Sequence, residues 1–325
     1  MNKPAQVNIA YFGKLRTRDD FVRNNVHNHL ISGLDDWIAH ALEIIRKDSH
    51  WQMPYDALSP LRFIILGSRR KLSVGGYLAA SRDSSGRRFP FLCAAPLESA
   101  SPTEFALHAP LVFRPVWNAV VASVTELMQS SDPSQILHRM NTFSAEVYTS
   151  AASTFSDFLD KYTIENIVER LTSAGHVFDW HNTVIALGEL LKPLMQSGKS
   201  YSERGLLLPL PEKDTEQLLI ATWWLNLIVP FTLNTDFEIT FFISSIAGKP
   251  RLAIGFLGAN SKELACLMSS PAVIEDQFLS LDNAAWVDQV IAGNAEKNKL
   301  SSYLRQPQLS LRTLRDTFLE VFVGA

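Results

Sequence analysis

The chain has 325 residues, 46% of them hydrophobic and 19% charged, with 7 Trp and 19 Phe, and its 33 acidic and 30 basic side chains give a formal net charge of −3. That composition excludes an extended disordered chain, and the mild acidity provides no global attraction to nucleic acid or to an anionic membrane surface. Two cysteines, Cys93 and Cys266, are too few for a disulfide framework or a Cys-rich zinc site, and each lies in an apolar pattern that should bury it.

No apolar run of signal-peptide length precedes Tyr11, and no later stretch reads as the roughly 20 apolar residues of a membrane helix, so a cytoplasmic protein without direct membrane insertion is expected. Residues 7–12 predict a short strand that leaves through Gly13. A helix follows, with Leu30, Leu34, Trp37, Ile38, Ala41, Leu42 and Ile45 on one face. Asp35 and Asp36 lie early in it, and Arg46 and Lys47 late, as the helix dipole prefers. Strands over 61–66, 75–81 and 88–95 supply the sheet it covers, the last two joined by a polar turn at 82–87 containing Ser84, Ser85 and Gly86. Pro115 suits the first turn of a second covering helix, whose stripe is Val116, Val120, Val121, Val124 and Leu127.

Residues 130–198 read as helical and amphipathic, with Asp132-Pro133 as a start, Gly175 as a stop, and Ile185, Leu187, Leu190, Leu191 and Leu194 as a later face. The remainder follows the first half in outline. It offers a strand at 205–210, a helix at 214–229 centred on Trp223 and Trp224, strands at 237–246 and 251–257, and a helix from Ser261. A last helix over 310–322 has Ser310 as N-cap and Leu311, Leu314, Phe318 and Phe322 as its stripe. The fold class is α/β, with α+β mixed sheets and flanking helices. Two similar sheet-containing units, 1–130 and 199–325, are joined by a helical region at 131–198, and the second is either a divergent repeat of the first or alike by chance in element order.

No Gly-rich phosphate loop, Walker lysine, nucleophile elbow or metalloprotease helix is present. The eight histidines are scattered, and His27 and His29 would point oppositely on a strand, so no metal site, catalytic residue or cofactor is expected. Two polar clusters stand out. The first spans 13–21 and holds Lys14, Arg18, Asp20 and Phe21, a charged turn between an apolar strand and a Phe21-Val22 pair that looks buried. The second spans 81–90, where Asp83, Gly86, Arg87, Arg88, Phe89 and Pro90 surround a tight turn, so that Arg87 or Arg88 could lock Asp83, Asp20 or a partner's acidic group. Four readings follow: a fold-stabilising turn network; a docking face; a hydrolase- or phosphatase-like site with Asp83, Asp20 and Arg87, which lacks an obvious nucleophile; and a nucleic-acid patch of Arg69, Arg70, Lys71, Arg82, Arg87 and Arg88, against which overall acidity weighs.

Gly13-Lys14-Leu15, Asp20-Phe21-Val22, Asp36-Trp37-Ile38, Trp51, Tyr55, Ser59-Pro60, Asp83 and Gly86-Arg87-Arg88-Phe89-Pro90 succeed one another in an order and spacing that resembles the N-terminal domain of the TagF (ImpM) family. Leu208-Pro209-Leu210-Pro211, the segment 221–225 and the strand 252–257 are similar, more loosely, to the family's C-terminal portion, so the likeness runs over about residues 7–280. Arg16 and Asp19 stand where the family commonly has Pro and Gly, which puts the shape of the first turn in doubt. The resemblance implies a compact α/β domain and an accessory role in bacterial type VI secretion, in several systems as a post-translational repressor of assembly or firing. It implies binding to secretion components, a forkhead-associated scaffold protein among them, and a link to threonine-phosphorylation control; some relatives are fused to a phosphatase domain. The oligomeric state stays open.

Overall fold

The computed structural model describes residues 4–67, 71–195, 204–232, 238–282, 284–292 and 294–324. Strands β1 (Ala5–Asn8), β2 (Ala10–Gly13) and β3 (Val22–Arg23) lead into helix α1 (Asn28–Ile45) and the short α2 (Gln52–Asp56). Strands β4 (Leu61–Gly67), β5 (Leu72–Ala79) and β6 (Phe91–Glu98) precede α3 (Pro102–Val112) and α4 (Arg114–Gln129). Next come α5 (Ser134–Met140), β7 (Ser144–Val147), α6 (Ala152–Lys161), α7 (Ile164–Ser173) and α8 (Trp180–Leu191). The second half contains β8 (Gly205–Pro209), α9 (Asp214–Ile228), β9 (Glu238–Ile246), β10 (Lys249–Gly255), α10 (Ser261–Leu267) and α11 (Pro271–Gln277). It closes with β11 (Phe278–Ser280), α12 (Val287–Ile291), α13 (Ala295–Leu304) and α14 (Leu311–Phe322).

The α/β class with a mixed sheet and flanking helices is confirmed. The sheets of the two halves, however, are one. Nine strands run in the order β11-β8-β10-β9-β4-β5-β6-β2-β3, and the halves meet where β4 and β9 pair antiparallel from Arg62 opposite Ile243 to Gly67 opposite Glu238. Among the described residues, β1 and β7 stand apart as a two-stranded sheet. Successive residues on each strand face opposite sides, so Phe241 joins one core and Phe242 the other. One face is covered by α3, α4, α8, α9 and α14, the other by α1 and α10.

The two halves place their helices differently. The Trp-bearing helices α1 and α9 lie on opposite faces: Trp37 packs with Phe63 and Phe242, and Trp223 stacks at 5.2 Å on Trp180.

Other differences have local causes. The expected strand at 88–95 begins its ladder at Phe91, because Arg88 makes only an isolated bridge with Arg82 and Pro90 has no N–H to donate. The helix α3 is not among the elements expected from the sequence; it is covered on several sides, with Phe105, Ala109, Leu111 and Val112 all buried. Residues 130–195 are not uniformly helical, since β7 adds antiparallel to β1. The ends of the expected helical region (196–198) and the first residue of the strand 237–246 lie outside the described residues. The helical stretch Pro102–Gln129 is, contrary to expectation, long and apolar enough by composition to cross a membrane, but half or more of its apolar window, 56%, is buried inside the fold.

Both faces of the β4–β9 seam are stitched. On one, the Trp37 ring lies 5.4 Å from Phe63 of β4 and 6.2 Å from Phe242 of β9, two residues that are themselves cross-strand partners, and Ser261 Oγ donates to the Trp37 carbonyl at 3.1 Å. On the other, Asn226 of α9 donates to the Leu107 carbonyl of α3 at 2.8 Å. Truncation of Trp37 to Ala should lower unfolding free energy by ~3–5 kcal/mol, measured by denaturant titration, because the cavity opens on the seam rather than at a margin.

Near that seam, the Glu263 carboxyl occupies the space left by Gly255, where any added Cβ would meet it within 2.2 Å. Gly255 is paired with Thr240, and among the described residues Glu263 Oε2, Thr240 Oγ1 and Trp37 Nε1 are buried without a hydrogen-bond partner. Burial pushes the Glu263 carboxyl up from 4.5 to about 8. The folded state therefore holds a proton that the unfolded chain has released, and stability falls as pH rises from about 4.5 to about 8. Glu263→Gln should remove that slope, a difference of a few kcal/mol at pH 8 in chemical unfolding; an unchanged pH profile would show that Glu263 is ionised in the fold.

Candidate functional site

The two polar clusters come together at one end of the sheet. Gly13 ends β2 with φ +142°, and a Cβ there would lie 2.4 Å from the Pro90 carbonyl oxygen and 2.5 Å from Phe91 Cα, so the glycine lets the two turns close on each other. Lys14 follows, buried, with its ammonium 2.8 Å from Asp83 Oδ2. The Ser81 hydroxyl donates to the Lys14 carbonyl at 2.6 Å. Tyr55 completes the brace: its hydroxyl donates to the Ser81 carbonyl at 3.0 Å and accepts from the Ser81 N–H at 3.2 Å. Burial drives that phenol well above its ordinary range, so it remains a neutral donor.

Asp83 is the centre of the cluster, its side chain 0% exposed. Oδ2 accepts from Lys14 Nζ at 2.8 Å and Arg87 Nε at 2.7 Å. Oδ1 accepts from the Ser85 N–H at 3.1 Å, the Ser85 hydroxyl at 2.7 Å and the Arg87 N–H at 2.9 Å. Burial opposes ionisation, yet the Lys14 ammonium, the Ser85 hydroxyl and the two Arg87 donors outweigh it and hold this carboxyl far below the usual carboxylate range. Gly86, at φ +86°, takes the left-handed position of the turn, and its N–H donates to the Asp83 carbonyl at 3.0 Å.

The first turn is strapped to the second by three further contacts. The Ser84 N–H donates to the Arg18 carbonyl at 3.0 Å, the Ser84 hydroxyl to the Asp19 carboxylate, and Arg87 Nη2 to the Asp19 carbonyl at 2.8 Å. Asp19 thus has a structural use at a position where the family commonly carries Gly.

Several expected roles are reassigned. Asp20 does not join Asp83 or an arginine; it is exposed and its carboxylate caps the N–H of Phe21 at 2.8 Å. Arg88 does not reach Asp83 but forks onto Asp56 at 2.8 and 2.6 Å, with its guanidinium 5.8 Å from the centre of the Trp51 ring. Arg18 turns away to Ser134 Oγ at 2.7 Å and Asp132 at 3.5 Å, at the start of α5. Phe21 is not buried: it is 44% exposed, its ring edge-on to Phe89 at 4.9 Å and capped by the Lys14 ammonium at 5.0 Å. Phe89 and Pro90 are buried beneath it, and Trp37 belongs to the seam and not to this surface.

Chemically, the arrangement is a closed lock. Every polar atom of Asp83 is spent on the protein's own donors, so no lone pair or acidic proton is aimed outward. The described residues contain no group of three His, Cys, Asp or Glu side chains placed to hold a metal. The suggested nucleic-acid patch is not assembled either: Arg69 and Arg70 lie outside the described residues, and Lys71 precedes β5 while Arg82 follows it, roughly 25 Å away by strand rise. The residues that sequence reasoning left without a role, Asp56 and Ser81, act through pairing with Arg88 and Tyr55, which only the folded chain brings together.

Fold and site define an α/β protein with two polar turns braced into one rigid corner. Residues 10–143, which carry that corner, match the TagF N-terminal domain, Type VI secretion system-associated. Over that segment the chain is similar to a domain associated with type VI secretion. No curated protein matches the sequence. Among solved structures, the crystal structure of PA0076 from Pseudomonas aeruginosa PAO1 at 2.05 Å resolution is similar at 13% identity and TM-score 0.45, over 83% of this chain and 94% of that one.

If Asp83 organises the corner, Asp83→Asn should strand the Lys14 ammonium in a buried position and lower the melting temperature by roughly 5–10 °C. Arg87→Ala, whose side chain is 64% exposed, removes one donor and should cost only a degree or two. Because the Asp83 carboxyl is depressed, its contribution persists at neutral pH and is lost only as pH falls through and below the ordinary carboxylate range. Thermal scans from neutral to strongly acidic pH check both statements.

Proposed function

We propose that this protein is a cytoplasmic, non-catalytic negative regulator of type VI secretion that acts post-translationally by binding another component, a forkhead-associated scaffold protein being the expected partner. The observation that carries the reading is the commitment of Asp83 to five internal donors: the conspicuous polar residues hold a shape and leave Phe21 and Arg87 on its outside. A rigid corner with an exposed aromatic and an exposed guanidinium suits recognition, since both side-chain types anchor interfaces and pre-ordered turns lose little entropy on docking. The family match over the same residues supports the pathway.

The test has two arms. The purified full chain, mixed with the scaffold protein, should co-elute from a sizing column, and deleting its gene should raise secretion output, restored to its former level by the wild-type copy. Failure to bind together with unchanged secretion would overturn the regulatory reading. A panel of phosphatase and hydrolase substrates should show no turnover; turnover abolished by Arg87→Ala would make the corner an active site instead.

A further inference from the structure

We infer that the flank of the braced corner, where Arg16, Arg82 and Arg46 surround the α2 segment, is the docking surface for an acidic segment of a partner protein. The inference rests on the reading of this chain as a protein-binding factor and locates the contact on it.

Asp56 is the acidic anchor of this flank, and it is consumed by the fork from Arg88. That hydrogen bond first, against some opposing burial, and then the charges of Arg88, Arg82 and Arg16 hold the Asp56 carboxyl below its ordinary value, so both other guanidiniums lie close enough to act on it. Arg16 and Arg82 are exposed, and among the described residues neither has a hydrogen bond or an ion pair of its own. Arg46, at the end of α1, faces the Trp51 ring from 5.6 Å, and Arg88 faces the same ring from 5.8 Å. Three guanidiniums, those of Arg88, Arg82 and Arg16, thus act on one satisfied carboxylate, with Arg46 on the neighbouring Trp51 ring and Asp48 an exposed acid beyond it, hydrogen-bonded to the His50 N–H at 2.8 Å. In a chain of net charge −3 this is a local reversal of sign.

The charges ring an apolar centre. Met53 of α2 is 74% exposed, among the most exposed large apolar side chains described, and it lies two residues along from Trp51, whose ring meets Tyr55 edge-on at 5.7 Å. An adaptable thioether and an aromatic edge inside a rim of free arginines suit a peptide that alternates carboxylates with an apolar residue. Arginine forks take carboxylates bidentately, and two uncommitted forks need give up no internal partner to do so. A polyanion such as nucleic acid would meet long-range repulsion from the rest of the acidic chain, and would gain nothing from Met53.

Anisotropy titrations of the full chain would use three labelled probes: an Asp- and Glu-rich peptide, its Asn and Gln counterpart, and a single-stranded oligonucleotide of equal charge. The acidic peptide should bind, weakening as salt is raised, and Arg16→Glu with Arg82→Glu should cut its affinity roughly tenfold or more. Melting should fall by no more than a few degrees, because both exposed arginines act on Asp56 only through solvent-screened charge; Met53→Asp, a second and separate variant, should weaken the same probe. Equal binding of the neutral peptide, tighter binding of the oligonucleotide, or full affinity in the charge-reversed variant would overturn the inference. Co-elution with the scaffold separates the two levels. If the scaffold is held equally by wild type and variant, the assigned surface is wrong and the regulatory reading stands; if wild type binds the acidic peptide selectively but never the scaffold, the surface stands and that partner is wrong.

Discussion

The buried carboxylate of Asp83 is the constraint from which the candidate site follows. An ionised carboxylate removed from water is stable only when its lone pairs are met by donors of matching number and charge. Here the donors come from two turns that are far apart in the chain, Lys14 from the loop after β2 and Ser85 and Arg87 from the loop between β5 and β6. Satisfying the charge therefore brings the turns into register, and the glycine at position 13 permits the close approach that this requires. What remains outside the lock, Phe21 against Phe89 and the outer part of Arg87, is positioned by what lies inside it.

The corner is also anchored to something broad. Its strands continue into a sheet that passes through the β4–β9 seam into the second half of the chain, with paired helices covering the seam on both faces. Trp37, which the sequence signatures place in the N-terminal domain, spans that seam by touching a residue from each side of it. A surface on such a support is preorganised, so the docking proposed for it would cost little ordering.

Much of this was legible before the structure, wherever the governing contacts are local. The α1 stripe, the cap at Ser310 and the polar turn at 82–87 are properties of neighbouring residues, and they appear as expected. The pairing of β4 with β9 was not, because strands with similar apolar patterns carry no label saying which edge meets which. Side-chain pairing within the charged clusters suffered the same ambiguity: Arg87 and Arg88 are adjacent, yet one reaches Asp83 and the other Asp56, a choice made by the alternation of a strand end and the position of α2. Phe21 looked buried by hydrophobicity, but the neighbouring lysine ammonium lies on its ring, and half-exposure with a cation is its resting state.

The likeness to a type VI secretion-associated domain was legible only through the order of the motifs, and the structure explains their spacing: the signature positions Gly13, Lys14, Tyr55, Asp83, Arg87 and Pro90 are the parts of one brace. The proposal that this brace presents a docking face is tested most directly by hydrogen–deuterium exchange on the full chain, alone and mixed with the proposed forkhead-associated scaffold protein. The account predicts added protection in the peptides covering residues 14–21, 46–56 and 81–90, with the second half of the chain unchanged. Protection confined to the helices of the second half, with those three segments exchanging as in the free protein, would contradict it.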